Sequence, residues 1–291
     1  MPSPSRHRAM PAPFRLLIAA GVLSLSTTTV TAAGAQVTTD TTLTLARNAT
    51  VEVLGRTGDI TVTTGPDSRL RVLGSRDAMF DVRGSNRSLL VDATTGRGRS
   101  GELTLTVPRG TTLLVRTQSG DITVRGTQAD VEVRTTSGDV TVEDAARVRA
   151  ETVAGDVTVR RARDGARVSA TSGDVSLTGI DGDVEVSGTS ASVALRDVSS
   201  RRVAVQVVSG DVSWTGPLQD NGRYEFSAHS GDVRLALPRT ARATLDVRTF
   251  NGELSTARDL ALTLIPDAAD RGREAERAAE RAAADSRTAR R

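Results

Sequence analysis

One short pattern recurs along this chain at a nearly fixed interval: Gly-Asp followed by alternating β-branched residues. It reads TGDITV from Thr57, SGDITV from Ser119, SGDVTV from Ser137, AGDVTV from Ala154 and SGDVSL from Ser172. It continues as DGDVEV from Asp181, SGDVSW from Ser209 and SGDVRL from Ser230. Gly120, Gly138, Gly155 and Gly173 stand 18, 17 and 18 residues apart. Ala191-Ser192 takes the next Gly-Asp place, and Gly210, Gly231 and Gly252 follow at intervals of 19, 21 and 21. A fixed period of this length marks a stacked repeat architecture, and Gly182 at the half period splits each repeat into two strands and two turns.

Side chains in a strand alternate between its faces. Val140 and Val142 therefore share one face, and Asp139 and Thr141 the other. The same parity turns inward Val131 with Val133, Val148 with Ala150, Val157 with Val159, Val168 with Ala170 and Val175 with Leu177. It also turns inward Val184 with Val186, and Val203 with Val205 and Val207. Four inward aliphatics give one repeat about 1.5 to 3 kcal/mol each when fully buried. Fixing its backbone costs about 1 to 2 kcal/mol per residue, so a single repeat should not fold alone. Stacked repeats bury one another's flanks and are stable collectively. The pattern predicts an all-β fold: a β-solenoid of roughly 18-residue, two-strand coils about 4.8 Å apart.

In this reading Gly58, Gly120, Gly138, Gly155, Gly173, Gly210 and Gly231 are the corners, where the chain reverses with φ > 0. Asp121, Asp139, Asp156, Asp174, Asp211 and Asp232 follow them, each carboxylate accepting a turn amide. Stacking lines these carboxylates along one edge, where neighbours about 4.8 Å apart in water repel by about 0.9 kcal/mol. A divalent cation could relieve that repulsion, but the Gly-Gly-x-Gly-x-Asp pattern of calcium β-rolls is missing, so no metal site and no cofactor is expected.

The ends read differently. Arg6, Arg8 and Arg15 precede an apolar run from Leu16 to Leu25 and a small-residue stretch closing at Ala33 and Ala35, which predicts a secretory signal peptide over 1–35. The chain has 38 basic and 35 acidic residues; removing three Arg with the signal leaves 35 against 35. That balance gives no electrostatic footprint for nucleic acid. No later apolar run reaches about 18 residues, so no transmembrane span is expected, and the absence of cysteine rules out disulfides and a lipidated cysteine. Residues 36–100 read as a less regular N-terminal β segment covering one end of the array, and 101–265 as the solenoid. Residues 266–291 read as a charged Ala/Arg/Glu-rich tail without an apolar stripe. Export points to the periplasm, the cell surface or secretion.

Chemistry is sparse. His229 is the one histidine after the signal, near Glu225 and Ser227 on the same strand face, and could serve a triad or simply precede a corner. Trp214, Tyr224 and Phe226 stand out in a chain nearly free of aromatics. They could stack on sugar rings or anchor a protein, or plug the C-terminal coils as an end cap.

The runs VPRGTTLLVRTQSGDITVRG from Val107 and SGDVRLALPRTARATLDVRTFNGEL from Ser230 carry a family likeness. Over roughly residues 48–256 the chain resembles the bacterial β-strand-repeat family of "putative adhesins", the domain of unknown function 4097. The resemblance implies an exported or envelope-facing all-β repeat protein and supplies no catalytic residues. Two functions are carried forward. One is a non-enzymatic, adhesin-like or envelope-associated scaffold whose partner is an envelope protein or glycan. The other is a β-helix enzyme acting on polysaccharide, which would gather carboxylates on one coil and break the repeat there.

Overall fold

The structure, a computed structural model, describes residues 39–75, 80–93, 101–237 and 243–256. Residues 1–35, expected to be a signal peptide, the tail 266–291 and Pro238, read as the counterpart of Pro108, lie outside the described residues.

Seven strands form the N-terminal part: β1 (Thr39–Thr44), β2 (Thr50–Leu54), β3 (Ile60–Gly65), β4 (Arg69–Gly74), β5 (Asp81–Gly84), β6 (Ser88–Asp92) and β7 (Leu103–Pro108). Then come β8 (Thr112–Ser119), β9 (Ile122–Arg125), β10 (Val131–Ser137), β11 (Val140–Ala145), β12 (Val148–Ala154), β13 (Val157–Ala162), β14 (Ala166–Ser172) and β15 (Val175–Ile180). The array ends with β16 (Val184–Ser190), β17 (Val193–Arg196), β18 (Arg202–Ser209), β19 (Val212–Thr215), β20 (Arg223–Ser230), β21 (Val233–Ala236), β22 (Thr244–Asn251) and β23 (Leu254–Thr256).

From β8 onward even-numbered strands build one sheet and odd-numbered strands the other, every pair parallel and in register. The chain is a β-solenoid of two parallel sheets, as its period predicts. One inward column runs Leu113, Val131, Val148, Ala166, Val184, Val203, Tyr224, Leu245. Its counterpart runs Ile122, Val140, Val157, Val175, Val193, Val212, Val233, Leu254. Every valine, alanine and leucine assigned inward from the alternation is buried. Parallel strands covered on one face by a second sheet satisfy their ladders and exclude water from a Val-rich interior.

The N-terminal segment does more than cover an end. β1, β4 and β5 are antiparallel to their neighbours, closing both sheets at that end. Yet β2 and β3 form a full coil in register with β8 and β9, and β6 and β7 stack on the far side of that coil. Stacking order thus departs from sequence order, with Gly101 above Gly58 and Gly58 above Gly120. After β7 the chain passes the coil of β2 and β3 before beginning β8. The passage at Pro108–Thr112 is pinned: Gly110, at φ 82°, donates its N–H to the Thr127 carbonyl at 2.8 Å. Thr112 N–H reaches the Ala49 carbonyl at 2.9 Å, and the Thr111 hydroxyl reaches the Pro108 carbonyl at 2.8 Å.

Candidate functional site

The repeated corners stack in one column along the coils. From Gly58 to Gly231 the corner glycines have positive φ, from 111° at Gly58 to 139° at Gly210. Positive φ is half of the requirement. A Cβ on Gly138 would lie 2.3 Å from the carbonyl oxygen of Gly120, and one on Gly155 2.2 Å from that of Gly138. Backbone stacks directly on backbone here, so any side chain would force the coils apart. Ala191 fits because its methyl turns into the core, 2 % exposed.

All of these aspartates but Asp174 then bond the coil that follows. Asp59 Oδ1 accepts the backbone N–H of Asp121 at 2.9 Å, Asp121 that of Asp139 at 2.9 Å, and Asp139 that of Asp156 at 2.8 Å. Asp156 accepts from Asp174 at 2.8 Å; beyond Ser192 the ladder resumes with Asp211 accepting from Asp232 at 2.9 Å and Asp232 from Glu253 at 3.0 Å. The carboxylate row is thus tied into the stack one amide at a time. The Asp232 amide, followed by the Arg234 guanidinium, holds the Asp211 carboxyl below its ordinary range. Among the described residues no group of three His, Asp or Glu side chains is placed to hold a metal ion.

A second corner column carries no common residue type. Gly126, Asp144, Arg161, Gly179 and Asp197 occupy the same turn in successive coils at φ of 79°, 56°, 58°, 66° and 51°. This is the left-handed region, where non-glycine residues are uncommon. Arg161 grips Asp144 one coil away with two bonds, Nη2 to Oδ2 at 2.9 Å, and lowers that carboxyl's pKa.

Trp214, Tyr224 and Phe226 all lie in the core, 1 %, 0 % and 0 % exposed. Trp214 meets Tyr224 and Phe226 edge to face at centroid distances of 5.6 and 5.8 Å. Tyr224 donates its hydroxyl to the Ser200 carbonyl at 2.6 Å and accepts the Gln219 N–H at 2.8 Å. The lengthened period belongs to the same feature. The seven residues 216–222 join β19 to β20, whereas two, Ala146 and Arg147, join β11 to β12, and the longer coil encloses rings in place of valine and leucine. A ligand could reach these rings only if the coils parted.

His229 is exposed and lies flat on Phe250, centroids 5.1 Å apart and planes 3° apart. Glu225 and Ser227 sit on the outer face of β20, registered with Asp246 and Arg248 of β22. The hydroxyl and carboxylate make no bond with the imidazole that would align a triad.

The outer face of the odd-numbered sheet presents a column of small hydroxyls: Thr104, Thr61, Thr123, Thr141, Thr158 and Ser176. Beside it Glu143 lies 3.5 Å from both Arg125 and Arg160. On the other sheet Arg149 pairs with Glu151 at 2.9 Å, and Arg134 reaches the same carboxylate at 3.5 Å.

Parallel stacking, a glycine ladder and polar faces repeated coil by coil define a β-solenoid repeat protein. The chain belongs to the Toastrack family, DUF4097, whose profile matches residues 26–263. Solved structures are similar to it. A protein of Parabacteroides distasonis ATCC 8503 described as a "putative lipid binding protein" is 12 % identical, with a TM-score of 0.51 over 76 % of this chain and 97 % of its own. A "putative adhesin" of Bacteroides fragilis NCTC 9343 is 13 % identical, with a TM-score of 0.43 over 77 % and 98 % of the two chains. No curated protein matches the chain.

Proposed function

We propose that this chain is an exported, non-enzymatic interaction scaffold of the cell envelope, adhesin-like in its use of long repeated faces. The observation that carries the reading is the column of Thr104, Thr61, Thr123, Thr141, Thr158 and Ser176, one hydroxyl per coil in strict register. A surface that repeats itself every coil offers many equal weak contacts to a polymeric or multivalent partner, and linked weak contacts add to a firm hold. An active site would gather its acids on one coil, whereas the corner carboxylates are spread along the stack, and Asp121, Asp139 and Asp156 each accept an amide. The comparisons indicate no enzyme family. Among the described residues no helix is long and apolar enough to cross a membrane. Periplasm, cell surface and secreted fluid all suit this reading.

The test combines cell fractionation with binding of the purified protein to envelope polysaccharides and envelope proteins. Saturable retention, weakening as the polymer is shortened and releasing no new reducing ends, supports the scaffold. Turnover of a polysaccharide would replace it with the enzyme reading.

A further inference from the structure

The one place where stacking and sequence order part company also carries a cleft. It opens beside the Pro108–Thr112 passage, between the chain at 45–48, the turn at 64–68 and Pro108–Arg109, with a volume of about 570 Å³. That is the size of a small-ligand site. Its walls are fixed. Leu45 N–H bonds the Ser68 carbonyl at 3.0 Å, Ala46 N–H the Asn86 carbonyl at 2.8 Å, and the Thr64 hydroxyl the Gly126 carbonyl at 3.2 Å. Asn48 sits in the left-handed region at φ 57°. A cleft built by hydrogen-bonded backbone orders no backbone when it binds, which leaves the ordering of its exposed side chains as the cost.

Its charges are unspent. Arg47 and Arg109 line it, and among the described residues neither guanidinium is held in an ion pair. Asp67, on the wall between them in sequence, is not paired either. Two guanidinium forks match a carboxylate or another oxyanion. The remaining groups, the Asp67 carboxylate, the Ser68 hydroxyl and the Asn48 amide, match hydroxyl groups. The complement of the whole set is an anion that also carries hydroxyls.

We propose that this cleft is a binding site for an acidic saccharide, with a uronate carboxylate held by Arg47 and Arg109 and a ring hydroxyl donated to Asp67. The site goes beyond the scaffold reading, which uses the repeated faces and needs no discrete pocket. Failure of one leaves the other standing.

Calorimetric titration of the purified protein at fixed ionic strength decides it, with three probes: tetragalacturonate, maltotetraose as a neutral oligomer of equal length, and inorganic phosphate. Tetragalacturonate is expected to bind one to one, and maltotetraose not to bind. Arg47→Gln and Arg109→Gln should each weaken binding roughly tenfold or more. Arg196→Gln, on the outer face of the odd-numbered sheet, should leave it unchanged. Asp67→Asn separates the chemistries: it weakens tetragalacturonate if the carboxylate accepts a hydroxyl, and strengthens every anion if Asp67 only repels. Thermal melting shows that each variant is folded. The proposal is overturned if tetragalacturonate does not bind, if the Arg47→Gln, Arg109→Gln double variant binds it as tightly, if phosphate binds equally well, or if Asp67→Asn strengthens binding.

Discussion

The carboxylate of Asp139 accepts the backbone N–H of Asp156 at 2.8 Å, so a side chain of one coil closes the corner of the next. The bond is charge-assisted but exposed, and its net contribution is about 1 kcal/mol. Asp139→Ala removes the acceptor and should destabilise by that amount, while Asp139→Asn, which keeps an oxygen there, should lose less. Urea unfolding followed by circular dichroism checks this. Equal midpoints for wild type and Asp139→Ala would mean the ladder is a bystander of stacking.

Glycines of the two corner columns should respond differently to the same substitution. Gly138 has φ 117° and its Cβ would lie 2.3 Å from the Gly120 oxygen, so Gly138→Ala should cost about 3 kcal/mol or more. Gly179 has φ 66°, a Cβ there comes no closer than 3.7 Å to any atom, and Asp144, Arg161 and Asp197 already occupy its column. Gly179→Ala should therefore cost only about 1 kcal/mol. Melting temperatures of the two variants, compared side by side, test the assignment; similar losses would contradict it.

These contrasts show what the residues disclosed in advance. Parity alone placed Val140, Val142, Val157 and Val159 in the core, because a strand has two faces and one must be dry. It also placed Trp214 beside Val212 and Tyr224 beside Phe226, so their burial was legible although a binding role was weighed for them. The partner of each aspartate was not legible, since a carboxylate reaches its own turn and the adjacent coil equally well. Nor was the inverted order of Gly101 and Gly58: two coils with the same pattern present the same edge and can stack either way. The second corner column escaped because Gly126, Asp144, Arg161, Gly179 and Asp197 share a conformation and no chemistry. The cleft escaped for a related reason, as Arg47, Asp67 and Arg109 are brought together only by the passage after β7.

Acid should loosen the stack at identifiable corners. Asp144 is held below its ordinary pKa by the Arg161 side-chain bond, and Asp211 by the Asp232 amide and then Arg234. A carboxyl depressed in the folded state contributes stability that is complete above its unfolded pKa, about 3.9, and that is lost as pH falls through the folded value. Melting temperature should thus fall below about pH 4, by a modest amount because both groups are exposed. Asp144→Asn and Asp211→Asn should each flatten the fall. High salt should shrink the Asp144 contribution, which rests on an exposed arginine, more than that of Asp211, which rests first on a backbone amide. A melting temperature independent of pH between about 2 and 6 would contradict this.

Trp214 is the chain's one tryptophan, so its fluorescence reports on the aromatic coils alone. At 1 % exposure, with Tyr224 and Phe226 against its edges, it should emit at short wavelength and resist quenching by acrylamide. Its Nε1 finds no acceptor, so Trp214→Phe removes an unsatisfied donor while leaving a cavity, and should cost less than the roughly 3 to 5 kcal/mol of Trp214→Ala. Tyr224→Phe strands the Gln219 N–H and the Ser200 carbonyl together, for about 1 to 3 kcal/mol. Because the three rings share one coil interior, the losses from Trp214→Phe and Tyr224→Phe should not add, and a double-mutant cycle in urea measures the shortfall. Ready quenching of the folded protein, or strict additivity of the two losses, would place these rings outside a common core.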